Sequence, residues 1–310
     1  RNVTESMQIA LLGLELKAGD EVLTTTHDYP SMKNALLQRQ QREGVKVKMF
    51  SFPYPPERID ILTDYFEKNI TPKTKMILIC HITNLTGQIF PVKQICQLAR
   101  EKGIEVVIDG AHAFGHWDFK QKDLDCDIYG ANLHKWMMGP IGTGFLYVKK
   151  EKIKKIWPLF PAADPQGDDI RKFEHVGTQP EALKLAVGEA LTFHHGIGAQ
   201  RKEARLRYLR NYWAKKLEKL PGVEILTPYD PEQSCGIGTF TVKNFDMAKL
   251  QQTLWDKHKI FVISVGIPSP TGDGEKVVGM RVTPSIYTHL RELDLFVDAV
   301  SHYVKNGFPA

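Results

Sequence analysis

Short apolar runs alternate with segments of helical period through the first two-thirds of the chain, and this alternation restricts the fold more than any other feature. Glu21–Thr26, Val45–Phe52, Lys75–Cys80 and Glu105–Asp109 read as strands, and Ser31–Glu43, Asp60–Ile70 and Pro91–Lys102 read as helices. Gly44 and Gly103 stand just past helix ends, and Pro91 takes a first helical position. Strands separated by helices of this length form βαβ units. The expected fold is α/β, with a mostly parallel sheet and helices on both faces.

Two long helical patterns follow, Glu181–His194 and Ala199–Leu220. In the first, Leu183, Ala186, Val187, Ala190 and Leu191 share one face at helical spacing. After Pro221-Gly222 the texture changes. Strands near Val223–Leu226, Gly238–Val242, Phe261–Val265 and Val277–Val282 alternate with helices at Asp246–His258 and Leu290–Val304, which reads as a smaller α+β domain. A length of 310 residues suits this division into a large domain at 1–205 and a small one at 206–310.

Charge and cysteine usage exclude several classes. The net charge of +5 comes with no dominant basic stripe, so a nucleic-acid partner is not expected. No apolar run nears the ~18 residues of a membrane span. Lys149, Lys150, Lys152, Lys154 and Lys155 read as a solvated helix face. Cys80, Cys96, Cys126 and Cys235 form no C-x-x-C pair, and Cys80 and Cys96 read as buried small hydrophobes. A reducing, cytoplasmic setting is expected. The chain starts at Arg1 with no Met and no signal-peptide pattern, and an exported form stays open because the N-terminus reads as missing.

In open parallel sheets, ligands bind beyond the carboxyl ends of the strands. Asp109 ends an apolar strand, where loss of water costs a carboxylate several kcal/mol unless a cation or donors face it. The alternative is an Asp capping the turn at Gly110-Ala111. Lys135 lies in Asn132-Leu133-His134-Lys135-Trp136-Met137-Met138, where desolvation favours the neutral amine that forms Schiff bases. Its alternative is a snorkelling lysine. Together the two match the needs of pyridoxal 5′-phosphate (PLP), which also takes a phosphate site at a helix N-terminus. Asn2-Val3-Thr4-Glu5-Ser6, ahead of Ile9, Leu11, Leu12 and Leu14, reads as such a helix start, with Thr4 as a plain N-cap the alternative.

Two other patterns compete. Gly139-Pro140-Ile141-Gly142-Thr143-Gly144 leads into the strand Phe145–Val148, whereas a dinucleotide fingerprint leads into a helix, so a nicotinamide site is rejected. Asp109, His112, His116 and Asp118 offer metal-ligand types, so a metal-dependent hydrolase using Asp109, His112 and His116 is the runner-up. Gly115 weakens a helix between the two histidines.

Val107-Ile108-Asp109-Gly110-Ala111-His112-Ala113-Phe114-Gly115, then Asn132-Leu133-His134-Lys135-Trp136 and the glycine-rich loop, resemble the class V aminotransferase family of fold-type I PLP enzymes. The likeness is to the isopenicillin N epimerase-like branch, beside the cysteine desulfurases. It extends through His27-Asp28-Tyr29-Pro30, His81-Ile82-Thr83-Asn84, Phe173–Thr178 and Met280-Arg281-Val282-Thr283-Pro284. The resemblance implies that Lys135 is the Schiff-base lysine and proton-transfer base, and that Asp109 holds the pyridinium nitrogen. It implies Tyr29 on the cofactor face, His112 and Asn84 near the ring's O3′ side, and Val3, Thr4 and His134 at the phosphate. Thr178 is implied to reach the phosphate of a neighbouring subunit, in a homodimer with shared sites. Arg281 is implied to clamp the carboxylate of a small amino-acid substrate; a surface ion pair is its alternative.

Desulfurases carry a nucleophilic cysteine before the carboxylate arginine. Here residues 265–274 contain none, which disfavours persulfide chemistry and leaves a thiol-independent lyase open. Racemisation, transamination and elimination all begin at Cα deprotonation, and the sequence does not choose among them. A cysteine desulfurase or selenocysteine lyase-type C–S lyase is the alternative within the family. A non-catalytic PLP-binding regulator is a further alternative, opposed by the joint presence of Lys135, Asp109 and Arg281 and by the lack of a helix-turn-helix pattern. Family members carry several tens of residues before the phosphate loop, so the N-terminal arm is expected to be missing here.

Overall fold

The computed structural model describes residues 1–308. Its contacts divide the described residues into two compact units: 1–50, 58–82 and 90–198 form the first, and 51–57, 83–89 and the residues from 199 onward the second.

The first unit opens with α1 (Val3–Gly13) and continues through β1 (Glu21–Thr25), α2 (Pro30–Glu43), β2 (Lys46–Phe50), α3 (Asp60–Asn69), β3 (Thr74–Cys80), α4 (Val92–Glu101) and β4 (Glu105–Asp109). It closes with β5 (Ile128–Asn132), β6 (Gly144–Val148) and α5 (Glu181–Ile197). The six strands form one sheet in the order β2-β1-β3-β4-β5-β6, parallel throughout except for the antiparallel β5–β6 pair. The apolar runs fill its centre: Met76, Ile77, Leu78 and Ile79 of β3 are fully buried, as are Val107 and Ile108 of β4. Burial of each such side chain stabilises the fold by ~1.5–3 kcal/mol. Helix α2 ends at Gly44, whose φ of 73° is the left-handed conformation that glycine adopts without a Cβ penalty.

The second unit contains α6 (Ala199–Leu217), β7 (Val223–Ile225), β8 (Gly238–Val242), α7 (Met247–His258), β9 (Ile263–Pro268), β10 (Lys276–Val282) and α8 (Leu290–Asn306). Its sheet runs β7-β8-β10-β9, antiparallel at every pair. Leu209, Trp213 and Leu217 of α6 join Leu250 and Leu254 of α7, Phe296 and Val300 of α8, and Phe240 and Met280 of the sheet in one core.

Several expectations are corrected. The N-cap of α1 is Asn2, whose side chain accepts from Glu5 N–H, and Thr4 is the second residue of the helix. Lys149 precedes a short 3-10 turn at Lys150–Lys155 that holds the other four lysines, and they are not simply solvated: Lys149 pairs with Asp125, and Lys152 and Lys155 pair with Glu105. Their acidic partners come from elsewhere in the chain, which a local reading of charge overlooks. Helix α5 buries only Ala190 of its expected stripe; Leu183, Ala186 and Val187 are half-buried and Leu191 is exposed. Phe261 precedes β9 and is exposed. Finally, 51–57 and 83–89 cluster with the second unit, and all of α6 does too. The second segment is held there by hydrogen bonds from Thr227 Oγ1 to Thr86 O and from Thr239 Oγ1 to Leu85 O.

Candidate active site

The carboxyl ends of β1, β3, β4 and β5 lie at one edge of the parallel sheet, and the chain leaves each through a segment that carries polar side chains. Asp28 follows β1 and is buried. Its Oδ2 accepts from Thr24 Oγ1 (2.8 Å), Thr25 N–H (3.0 Å) and Thr25 Oγ1 (2.7 Å), and its Oδ1 accepts from Cys80 N–H at 2.7 Å. A carboxylate can accept all four. It thereby ties the end of β1 to the end of β3 and sets the backbone from which Tyr29 projects. Tyr29 is 43% exposed at the start of α2.

Asp109 is the last residue of β4 and is buried. Its Oδ1 accepts from Ala111 N–H at 2.9 Å, and no cation lies within salt-bridge distance among the described residues. Burial is the main cause that raises its pKa to about 6; the negative charge of Asp28 adds to the rise, while the Ala111 bond and Lys135 oppose it. The turn that follows is close-packed: a Cβ on Gly110 would fall 2.3 Å from the Tyr129 ring, so only glycine lets the chain pass there. Tyr129 in turn hydrogen-bonds His81 Nδ1 at 3.0 Å, and burial lowers the His81 pKa to about 3, keeping that imidazole neutral.

Lys135 follows the end of β5 by three residues. Its Nζ lies 3.0 Å from His112 Nε2, and Trp136 Nε1–H donates to His112 Nδ1 at 3.3 Å. His116 stacks on Trp136, with ring centroids 3.7 Å apart and 6° between planes, and its Nδ1 is 2.8 Å from His112 O. His116 is thus committed to packing, and Gly115 breaks any helix between the two histidines with φ of 72°. Among the described residues no group of three or more His, Cys, Asp or Glu side chains could hold a metal ion.

The start of α1 meets the same sheet edge. Val3 N–H donates to Asn132 Oδ1 at 2.9 Å, and Asn132 is the last residue of β5. His134 Nδ1 lies 3.2 Å from Thr143 O, which anchors it to the glycine-rich loop. In the first turn of α1 the Val3 and Glu5 N–H groups are taken by Asn132 and Asn2, which leaves the Thr4 N–H and the positive end of the helix facing the segment that carries His134 and Lys135.

Of the ten residues singled out by sequence, the structure brings Lys135 and His112 into contact, places Asp109 within electrostatic reach of Lys135, and joins Val3 to the end of β5. Thr4 sits in the first turn of α1, and Thr178 is exposed three residues before α5. Asn84 and Arg281 belong to the second unit and meet there: Arg281 Nη1–H donates to Asn84 O at 3.0 Å, from the central strand β10. Asp28, Asn132 and Trp136 stand in the motifs read from the sequence, yet no role was assigned to them there. Each directly adjoins or closely precedes a recognised position, and that adjacency at strand ends was the available signal.

Among the described residues no helix is long and apolar enough to cross a membrane. The sequence profile of the Aminotransferase class-V family matches residues 1–294. The isopenicillin N epimerase of Streptomyces clavuligerus is 28% identical over 317 residues, covering 96% of this chain and 78% of the relative. A probable cysteine desulfurase of Halalkalibacterium halodurans is 30% identical over 239 residues, covering 74% and 57%. Among solved structures, the apo cysteine desulfurase of Thermococcus onnurineus NA1 superposes with a TM-score of 0.83 at 22% identity, covering 98% of this chain and 78% of that one. A C-DES variant with glycine covalently linked to its PLP cofactor superposes with a TM-score of 0.81 at 22% identity, covering 97% and 79%. These structural likenesses confirm the expected α/β fold with its mostly parallel sheet.

Proposed function

This chain belongs to the class V aminotransferase family, and on that premise we propose that it is a PLP-dependent enzyme that moves the Cα proton of an amino acid. The observation that carries the reading is the 3.0 Å contact of Lys135 with His112, set within electrostatic reach of the buried Asp109 carboxylate. A buried carboxylate without a cation is costly by itself and fits the protonated ring nitrogen of the cofactor. Bound PLP supplies an electron sink for the charge left at Cα.

The proposed roles of the protein groups combine these contacts with the family resemblance. Lys135 would hold PLP through its Nζ and would serve as the base for the Cα proton. Asp109 keeps the ring nitrogen protonated, and His112 orients Nζ. Tyr29 supplies an aromatic face. The first turn of α1 at Val3 and Thr4, where the Thr4 N–H is the one left open, would hold the phosphate together with His134. By the family resemblance, Asn84 would serve the O3′ side of the ring, and Arg281 would take the substrate carboxylate through a planar pair of N–H donors.

Epimerisation, transamination and elimination all start from this proton transfer. Thiol-dependent desulfuration is the less supported member of the set, because Cys80, Cys96, Cys126 and Cys235 are all buried and burial raises the pKa of each. A reactive cysteine needs an exposed, depressed thiol. A second copy of this chain as partner is supported by α5, which leaves Leu185 77% and Phe193 53% exposed near the exposed Thr178 in sequence. Monomeric proteins seldom leave apolar faces of this kind in water.

The deciding experiment is a visible spectrum of the protein with PLP before and after borohydride, followed by peptide mapping. The expected result is one reduced adduct on Lys135. No adduct, or one on another lysine, would defeat the reading. A screen of amino acids for Cα deuterium exchange then identifies the substrate.

A further inference from the structure

Trp136 is engaged by two histidines at once. Its ring lies flat against His116, and its Nε1–H is aimed at His112 Nδ1, 3.3 Å away. An indole N–H can only donate, so His112 Nδ1 must accept. A neutral imidazole with an accepting Nδ1 carries its single proton on Nε2. That Nε2 is the atom 3.0 Å from Lys135 Nζ. Two donors cannot share a hydrogen bond, so Nζ must offer a lone pair, and an ammonium has none. The His112 residue is also held from its backbone: His116 Nδ1 faces His112 O at 2.8 Å, and since a carbonyl only accepts, His116 Nδ1 is the donor.

We propose that Trp136 is a positioning residue that fixes the tautomer of His112 and thereby presents Lys135 as a neutral amine. The proposal rests on the reading that Lys135 holds PLP, and it adds how the lysine is kept nucleophilic. A freely solvated lysine, with a pKa of about 10.4, has only about one amine in 2,500 ready at pH 7. Asp109 and His112 bear on Lys135 with opposite effect. The charge of Asp109, at the end of β4, attracts the ammonium; the Nε2–H of His112 faces Nζ as a donor and favours the amine. The indole decides the second effect by occupying Nδ1. In the capture reaction Nζ attacks the aldehyde carbon, a C=N bond forms, and the carbonyl oxygen leaves as water, with no net oxidation.

The tautomer can be read directly in the full-length chain. Long-range 15N–1H spectra of 15N-histidine-labelled protein, with His112 assigned by comparison with His112→Gln, should show a protonated Nε2 and a bare Nδ1. A proton on Nδ1, or on both nitrogens, overturns the proposal, and this measurement needs no altered tryptophan. Trp136→Phe keeps a ring against His116 and removes only the donor. It should let His112 populate the other tautomer and slow PLP capture on Lys135, read as the borohydride-reduced adduct, by about fivefold, the worth of one ordinary hydrogen bond. An unchanged tautomer and capture rate in Trp136→Phe also overturns the proposal. If the unaltered chain forms no adduct on Lys135, the PLP reading itself falls, while the spectrum still decides the role of Trp136.

Discussion

Replacing Asp109 by Asn should stabilise the cofactor-free protein at neutral pH while leaving it little changed in acid. Asp109 is buried at the end of β4, and burial raises its pKa to about 6 from the ordinary 3.8. The free-energy equivalent of that interval, at ~1.36 kcal/mol per pH unit, is ~3 kcal/mol. Between pH 4 and 6 the native state holds this proton more tightly than the unfolded chain does. Stability therefore falls as pH rises through that window, and the full loss is present above about pH 6. Asn carries no proton to lose, and its Oδ1 can keep the bond from Ala111 N–H. The gain of Asp109→Asn over the unaltered protein should thus grow by ~3 kcal/mol from pH 3.5 to pH 7. Urea unfolding of both proteins across that range measures it, and the contributions of all other carboxylates cancel in the difference. Adding PLP should erase the neutral-pH penalty in the unaltered protein, because a ring cation then faces the carboxylate, and should do much less in the variant. A difference that stays flat from pH 4 to 7, or that grows toward acid, would refute the reasoning.

Four further outcomes are expected. Lys135→Ala should retain the fold, checked by circular dichroism, yet give no borohydride-stable PLP adduct. Asp28→Asn leaves at least one buried backbone N–H without an acceptor, Thr25 or Cys80. It should cost ~1–3 kcal/mol in urea unfolding and weaken PLP binding measured by equilibrium dialysis. Arg281→Ala should raise KM for a carboxylate-bearing substrate by roughly 10- to 100-fold, the worth of a charge-assisted hydrogen bond of ~1.5–3 kcal/mol; an unchanged KM removes the arginine from substrate recognition. Leu185→Glu with Phe193→Glu should shift the sedimenting species toward the single chain, and an unchanged mass would place the second copy elsewhere or nowhere.

Much of the first unit was legible because β3 and β4 are uniformly apolar and their connecting helices are punctuated by Pro91, Gly44 and Gly103. Asp109 and Lys135 stood out because each is a charge set where water is scarce. What escaped has a common physical origin in contacts between distant residues. The membership of 83–89 in the second unit depends on hydrogen bonds to Thr227 and Thr239, more than 140 residues away. The pairing of Lys152 and Lys155 with Glu105 spans 47 and 50 residues. The exposure of α5 escaped for another reason: helical periodicity says which side chains share a face and not what covers them. The tautomer of His112 depends on one indole nitrogen, which no spacing rule encodes.

The burial of all four thiols turns this chain into a reporter of its own opening. Cys80, Cys96 and Cys126 lie in the first unit and Cys235 in the second, all shielded from solvent. An alkylating reagent can reach them only when the surrounding structure opens, so labelling rates under native conditions measure local opening free energies. With the modified positions resolved by mass spectrometry, the two units would keep separate clocks, without a single engineered probe.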